Sequence, residues 1–251
     1  MSDSKYEKIA EMIVKSKLTV VLTGAGLSTE SGIPDFRSKG TGLWEKIDPM
    51  EALSTDVLYG NPEKFYRTGF KILTGMKGAK PNKAHLILAK MEKEGLISAI
   101  ITQNIDNLHY DAGSKNIMEV HGNIRTGHCV KCRKTYGFNV IEEKVAKGEI
   151  PPLCTCGGMI RPDVVFFGDS LPDCFNKAWE ISSRCDLMIV IGSSLQVGPV
   201  NYLPSLAKKL VIINKGDTMY DRRADVLCNE SASSALDNIY AKIQEIKASG
   251  R

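Results

Sequence analysis

The chain has 251 residues, 43% hydrophobic and 25% charged, which suits one large globular domain carrying a smaller insert and excludes repeat arrays, collagen-like fibres and wholly disordered chains. Thirty-three Lys and Arg against 29 Asp and Glu leave a formal charge of +4 with no run of five or six like charges, so no nucleic-acid partner is expected. No apolar run approaches the ~18 residues that span a bilayer, and the polar start Ser2–Lys8 shows no secretory signal, so no membrane contact and a cytoplasmic location are expected.

Tyr6, Ile9, Ala10 and Ile13 fall on one stripe, so Tyr6–Lys15 predicts an amphipathic helix. It leads into Thr19–Leu22, a β-branched run that stops at Gly24-Ala25-Gly26, the strand, glycine turn, helix order of a nucleotide-binding unit. Apolar runs at Ala99–Ile101, Val164–Phe167, Leu187–Ile191 and Leu210–Ile213 read as further buried parallel strands. Helical stretches such as His85–Glu94 and Leu203–Lys208 lie between them, so the body is expected to be α/β, a Rossmann-like doubly wound parallel sheet. Residues 38–81, polar and helical in tendency, and 123–161, with paired cysteines and a Pro151-Pro152 break, fit that rhythm badly and are expected to form a smaller inserted domain.

The cysteines carry the first chemical signal. Cys129-x-x-Cys132 and Cys154-x-Cys156 can fold back as two knuckles that bring four thiolates to one tetrahedral Zn²⁺. All four ligands come from the protein, so the site is expected to be structural and 123–161 to be a zinc-ribbon module, with 38–81 the helical module and 1–37, 82–122 and 162–251 the dinucleotide-binding body. Cys174, Cys185 and Cys228 read as buried small hydrophobes.

Gly24-Ala25-Gly26 can bring backbone amides close to a pyrophosphate at the N-terminus of a following helix, because glycine removes the obstructing Cβ. Thr29 stands where the dinucleotide fingerprint has its third glycine, which speaks against the dehydrogenase version. Gln103-Asn104-Ile105-Asp106 ends a strand, where amide and carboxylate groups can read ribose hydroxyls and a carboxamide. Gly192-Ser193-Ser194 and Asn214 likewise end strands. His85, His109 and His128 read as structural or surface residues, whereas His121, in Val120-His121-Gly122, is the imidazole best placed to accept a hydroxyl proton as general base.

These blocks, with Gly24-Ala25-Gly26-Leu27-Ser28, Ser31-Gly32-Ile33-Pro34-Asp35-Phe36-Arg37, Thr102–Asp106, Arg161-Pro162 to Phe167-Gly168-Asp169 and Gly192–Leu195, run in an order that resembles the sirtuins, NAD-dependent protein deacylases, across nearly the whole chain. The resemblance implies an enzyme that uses NAD as co-substrate and Zn²⁺ as a structural ion, acts on an acetylated protein or peptide, and works as a monomer. In the implied reaction the acetyl oxygen of an acetyl-lysine displaces nicotinamide from the ribose, His121 activates a ribose hydroxyl against the resulting imidate, and water then releases free lysine and O-acetyl-ADP-ribose. His121 and Asn104 would be catalytic. The dinucleotide would be held by Gly24, Ala25, Gly26, Ser28, Asp35, Phe36, Arg37, Gln103, Asn104, Ile105, Asp106, Gly192, Ser193, Ser194, Asn214 and Ser231. Asp106 would take the carboxamide, Phe36 would close over the reacting ribose and Ser231 would lie nearest the adenine.

Substrate peptide would add as a strand between two loops, touching Val165, Phe167, Gly168, Leu195 and Val197. Two departures matter. The second cysteine pair is one residue shorter than the family's usual Cys-x-x-Cys, and Asp169 replaces the more frequent Glu, which bears on peptide preference. Sirtuins that prefer acidic acyl groups carry Tyr and Arg three residues apart in the helical insert; here Tyr66 is followed by Gly69, so an apolar acyl pocket is expected. Three other readings stand beside this one: ADP-ribosyl transfer to a protein side chain, a zinc-ribbon binding module, and an NAD oxidoreductase.

Overall fold

The computed structural model describes residues 2–36, 40, 42–45 and 47–249. Arg37 lies outside the described residues. Among them, β1 (Thr19–Thr23), β2 (Ala99–Thr102), β3 (Ile117–Glu119), β7 (Leu187–Ile191), β8 (Lys209–Ile213) and β9 (Val226–Cys228) form one parallel sheet in the order β3-β2-β1-β7-β8-β9. That is the doubly wound order, with the direction of winding reversing between β1 and β7.

Side chains alternate across this sheet, and both faces are covered. Val21, Ile100, Ile189 and Val211 pack under the helices Ser2–Lys15, Lys83–Lys93 and Ala232–Ala248. Val20, Leu22, Ile101, Val190 and Ile212 pack on the opposite face, with Ala178 of Cys174–Arg184 and Leu203 of Leu203–Leu206. A separate apolar cluster joins Leu58, Phe65, Tyr66 and Leu73 to Ile124, Ile141 and Ile160. These residues come from the helical run Pro49–Thr74, from the helix Phe138–Ala146 and from a small antiparallel sheet, order β5-β4-β6, made of β4 (Gly122–Cys129), β5 (Thr135–Gly137) and β6 (Ile160–Val164).

Two of the expected elements need correction. Val164–Phe167 is no parallel strand: β6 runs antiparallel to β4 and ends at Val164, and residues 165–168 form a loop. A continuous apolar run cannot distinguish a sheet-core strand from a strand end and loop buried by a second cluster. The helix expected over Leu203–Lys208 stops at Leu206, because the chain must turn into β8. Edge strands β3 and β9 and the helix Ala232–Ala248 were not anticipated. No described helix is long and apolar enough to cross a membrane.

Gly192, just after β7, holds φ +62, and a Cβ there would run into the backbone of Gly26 and Leu27. Gly192→Ala should therefore lower unfolding stability by roughly 2 kcal/mol or more, from left-handed strain plus collision, as measured by urea denaturation.

Candidate active site and metal centre

The C-terminal ends of β1, β2, β7 and β8 open into a cleft of about 710 Å³, within the range of pockets that enclose a small-molecule ligand. It crosses the point where the strand order reverses, the position at which open α/β sheets bind ligands.

Two strand-end turns form its floor. The Gly24 amide donates to the Ile191 carbonyl at 3.0 Å and the Gly26 amide to the Gly192 carbonyl at 2.8 Å. A Cβ on Gly24 would lie 2.8 Å from the Gly192 oxygen, and one on Gly26 would lie 2.9 Å from the Gly192 Cα. These glycines are thus demanded by backbone packing against one another, before any approach to a phosphate. The helix expected after the turn is also absent. Ala25–Leu27 and Thr29–Ser31 are short 3₁₀ turns, because Gly32 takes φ 84 and Pro34 disfavours helical backbone at Ile33.

A hydrogen-bond chain crosses the cleft. Asn104 Nδ2 donates to the Gly24 carbonyl (3.1 Å) and to Ser28 Oγ (3.2 Å), and Ser28 Oγ donates to Asp106 Oδ2 (2.6 Å). The Leu108 amide donates to Asp106 Oδ1 at 2.9 Å. Burial pushes the Asp106 carboxyl above its ordinary range, against the pull of those two bonds. Gln103 Nε2 donates to Ser193 Oγ at 2.8 Å, joining the turns after β2 and β7.

His121 stands between β3 and β4. Its Nδ1 lies 3.1 Å from the Gln103 carbonyl oxygen, which can only accept, so Nδ1 carries the proton and Nε2 is the basic nitrogen. The His121 carbonyl accepts the Val165 amide at 2.9 Å, which anchors the loop after β6.

Gly24, Ala25, Gly26, Ser28, Asp35, Phe36, Gln103, Asn104, Ile105, Asp106, Gly192, Ser193, Ser194, Asn214 and Ser231 all border this cleft, as do His121, Val165, Phe167, Gly168 and Val197. Leu195 is different: its side chain is 1% exposed and packs in the sheet core, so it offers no side-chain surface to a substrate. The backbone of Phe167 is already paired, its amide to the Leu53 carbonyl and its carbonyl to the Thr55 amide, both at 2.9 Å. Sequence reasoning missed Leu53 and Met76, brought to the cleft by the helical run and the turn that follows it, and Lys215, Asp217 and Glu230 at its far end. For Glu230 the one available signal was its place beside Ser231. Leu53 and Met76 carried none, since only tertiary packing puts them there.

Below the floor lies a buried polar group. His109 Nε2 is 3.0 Å from Thr23 Oγ1, which is 2.8 Å from Thr102 Oγ1, and the His109 and His85 rings meet edge to face at 5.0 Å. Burial lowers His109 to about 3 and His85 to about 4, so both are neutral in the folded chain.

The Sγ atoms of Cys129, Cys132, Cys154 and Cys156 lie within 4.8 Å of one another, with Cys129–Cys156 at 3.5 Å and Cys132–Cys154 at 3.6 Å. Those pairs are too far apart for disulfides and near the ~3.8 Å edge of a tetrahedron with ~2.3 Å Zn–S bonds. The Lys131 and Cys132 amides point at Cys129 Sγ. The Cys156 amide and then the Tyr136 hydroxyl hold the Cys154 thiol down to about 5. On Cys132 the lowering by the Lys134 amide is outweighed by the neighbouring thiols, which push it up to about 11. Four sulfurs held at tetrahedral spacing, with backbone amides aimed at Cys129 Sγ, fit a structural zinc. The one-residue shortening is absorbed by a tight turn, in which the Cys154 amide donates to the Gly158 carbonyl at 2.8 Å.

A doubly wound sheet with a ligand cleft at its switch point and a four-thiolate module define a dinucleotide-binding α/β protein with a metal-stabilised insert. A Sir2 family model matches residues 24–199. The chain is 60% identical over 245 residues to "NAD-dependent protein deacetylase 2" of Caldanaerobacter subterraneus subsp. tengcongensis, covering 96% of this chain and 98% of that one. Among solved structures, it is similar to a Sir2 protein with a deacetylated p53 peptide and 3'-O-acetyl ADP ribose (42% identity, TM-score 0.90, 95% and 98% covered). It is also similar to a Sir2 protein with a p53 peptide and NAD+ (41% identity, TM-score 0.86, 98% and 99% covered). The chain belongs to the Sir2 family.

Two outcomes follow from this geometry. The buried imidazoles stay neutral while those of the unfolded chain protonate below about 6.5, so their contribution is complete above pH 6.5 and is lost as pH falls toward 4 and then 3. Unfolding free energies from urea titrations should fall below pH 6.5, down to pH 4.5, with a slope of roughly 1.4 kcal/mol per pH unit for each histidine, and His85→Gln should remove about half of it. Cys129→Ala should abolish stoichiometric zinc in metal analysis and expose the β4–β6 sheet to rapid amide exchange; a metal-free variant with wild-type protection would contradict a structural metal.

Proposed function

We propose that this chain is an NAD-dependent protein-lysine deacetylase that transfers the acetyl group of an acetyl-lysine to ADP-ribose, releasing nicotinamide and O-acetyl-ADP-ribose. The observation that carries the reading is the convergence of His121, the Asn104–Ser28–Asp106 chain and the loop after β6 on one cleft. Bound NAD supplies an electrophilic ribose carbon whose bond to nicotinamide is exchanged for a bond to the acyl oxygen.

The protein's own groups do the rest. His121, with Nδ1 fixed on the Gln103 carbonyl, accepts a hydroxyl proton at Nε2. Asn104, whose Nδ2 donates to the Gly24 carbonyl and to Ser28, borders the cleft as the second catalytic residue with Oδ1 as its remaining polar atom; Asp106 accepts from a carboxamide. The raised Asp106 carboxyl reflects removal from water, which strengthens such a bond. Ser193 and Ser194 serve the phosphates, Asn214 the adenosine ribose and Ser231 the adenine end. Peptide enters along Val165, Gly168 and Val197, with the side chain of Phe167 and the backbone of Leu195 beside it.

The acyl group meets an apolar wall of Leu53, Met76 and Ile105, with Tyr66 packed in the cluster behind it and not at the cleft surface. Tyr66 is 1% exposed and its hydroxyl donates to the Ile160 carbonyl, and a Cβ on Gly69 would collide with the Ala52 carbonyl. No cation can stand at position 69 without moving that helix. The two modules and the sheet are read as a small zinc-stabilised domain inserted in an NAD-binding body, and the protein as a cytoplasmic monomer without a nucleic-acid partner. Seven cysteines free of disulfides support a reducing compartment.

Mass spectrometry of an acetylated peptide incubated with NAD and this protein should show deacetylated peptide, nicotinamide and O-acetyl-ADP-ribose in equal amounts; ADP-ribosylated protein or reduced nicotinamide instead would refute the reading. His121→Ala should cut turnover by about 10²- to 10⁴-fold while leaving the melting temperature near wild type. Acetyl-lysine peptide should outpace succinyl-lysine peptide in kcat/KM, and the reverse order would remove the apolar-wall account.

A further inference from the structure

Arg161 is a charged residue that the reaction does not use, yet it is only 7% exposed. Its Nη1 donates to Asp169 Oδ1 and to the Tyr59 hydroxyl, each at 3.0 Å, and its Nη2 donates to Asp169 Oδ2 at 2.5 Å and to the Val164 carbonyl at 3.0 Å. With Nε 3.5 Å from the Pro162 carbonyl, every guanidinium donor has a partner, a set that the three donors of a lysine could not reproduce. The guanidinium also lies 5.1 Å from the centre of the Phe166 ring. Asp169 Oδ2 accepts the Phe166 amide at 2.9 Å, and the Asp169 amide returns to the Phe166 carbonyl at 3.0 Å.

The pair therefore joins three pieces of chain: the end of β6, the helical run through Tyr59, and the loop 165–169. That loop begins at Val165, whose amide is bonded to the His121 carbonyl. Buried ion pairs contribute little net stability, because desolvation offsets their attraction, so a fully satisfied one beside a functional loop calls for a role in geometry.

We propose that Arg161 and Asp169 are positioning residues for peptide binding: their ion pair fixes the loop 165–169 so that its edge and His121 meet the same peptide. The inference rests on the deacetylase reading above. It also recasts Asp169, whose place in the sequence pointed to peptide preference. Its carboxylate is already engaged by Arg161 and the Phe166 amide, so it acts on peptide through the loop's shape.

The test is steady-state kinetics on the full chain, with acetylated peptide varied at saturating NAD and NAD varied at saturating peptide. The double variant Arg161→Met with Asp169→Asn removes both charges while keeping an oxygen for the Phe166 amide. It should retain its melting temperature, as apolar replacement of buried pairs usually allows, and raise peptide KM about tenfold or more with NAD KM nearly unchanged. Asp169→Glu keeps the charges and should hold peptide KM to within about threefold of wild type, because the bidentate pair can re-form around one extra methylene. A folded double variant with wild-type peptide KM, an equal rise in both KM values, or an Asp169→Glu variant as impaired as the neutral pair would each overturn the proposal. Should the double variant not fold, Tyr59→Phe gives the same reading from a residue whose ring is largely exposed: a peptide KM raised severalfold with NAD KM constant supports the clamp, and no change overturns it. Absence of turnover in the wild type overturns both this inference and the deacetylase reading, whereas wild-type turnover with an indifferent variant removes the clamp alone.

Discussion

The Gly26 amide and the Gly192 carbonyl meet at 2.8 Å, and with the Gly24–Ile191 bond they press the turn after β1 onto the turn after β7. Neither turn could approach so closely with a side chain on any of the three glycines. From this contact the remaining site is laid out. Gly24 directs its carbonyl to Asn104, Ser28 bridges Asn104 and Asp106, and Gln103 reaches Ser193 across the gap. The cleft is thus assembled by strand-end turns that hold one another, on a sheet whose core strands are buried on both faces.

Such an arrangement has a stability cost that is concentrated around the ligand. Asp106 is held as a carboxyl in a place that disfavours its charge, and two imidazoles beneath the floor are held neutral. None of these groups is where hydrophobic burial would put it. Thr23, in the last position of β1, shows the link between floor and chemistry. Its hydroxyl joins His109 to Thr102, and Thr102 Oγ1 in turn accepts the Asn104 amide at 3.0 Å. His109 Nδ1, at the far end of this chain, is buried without a hydrogen-bond partner, so the network is satisfied only from His109 Nε2 to Asn104, and the placement of Asn104 depends on residues that do not line the cleft.

Much of this was legible in the residues. The β-branched runs at Thr19, Leu187 and Leu210 led to core strands because strands buried on both faces leave continuous apolar signals. The cysteine spacing led to a four-sulfur cluster because the ligands lie close in sequence within each pair. What failed were inferences that needed long-range information. Val164–Phe167 carries the same apolar signal as a sheet-core strand, but its burial comes from Phe65 and the small antiparallel sheet. Gly24 and Gly26 were legible as a turn, although the partner that requires them, Gly192, lies more than 160 residues away. The edge strands β3 and β9 are three residues each, too short to show a period.

The four-thiolate cluster stands at the opposite end of β4 from His121, at most about 26 Å away for eight residue steps of extended chain. With four protein ligands it has no open position for substrate, so its influence on the cleft must travel through structure. The route is visible in the pairing. Cys129 ends β4, β4 pairs with β6, and β6 runs directly into the loop that Arg161 and Asp169 hold against His121. Tyr66 ties the helical run to the carbonyl of Ile160 at the start of the same strand. A metal that keeps β4 and β6 together therefore also fixes the distance between His121, just before β4, and the loop that follows β6.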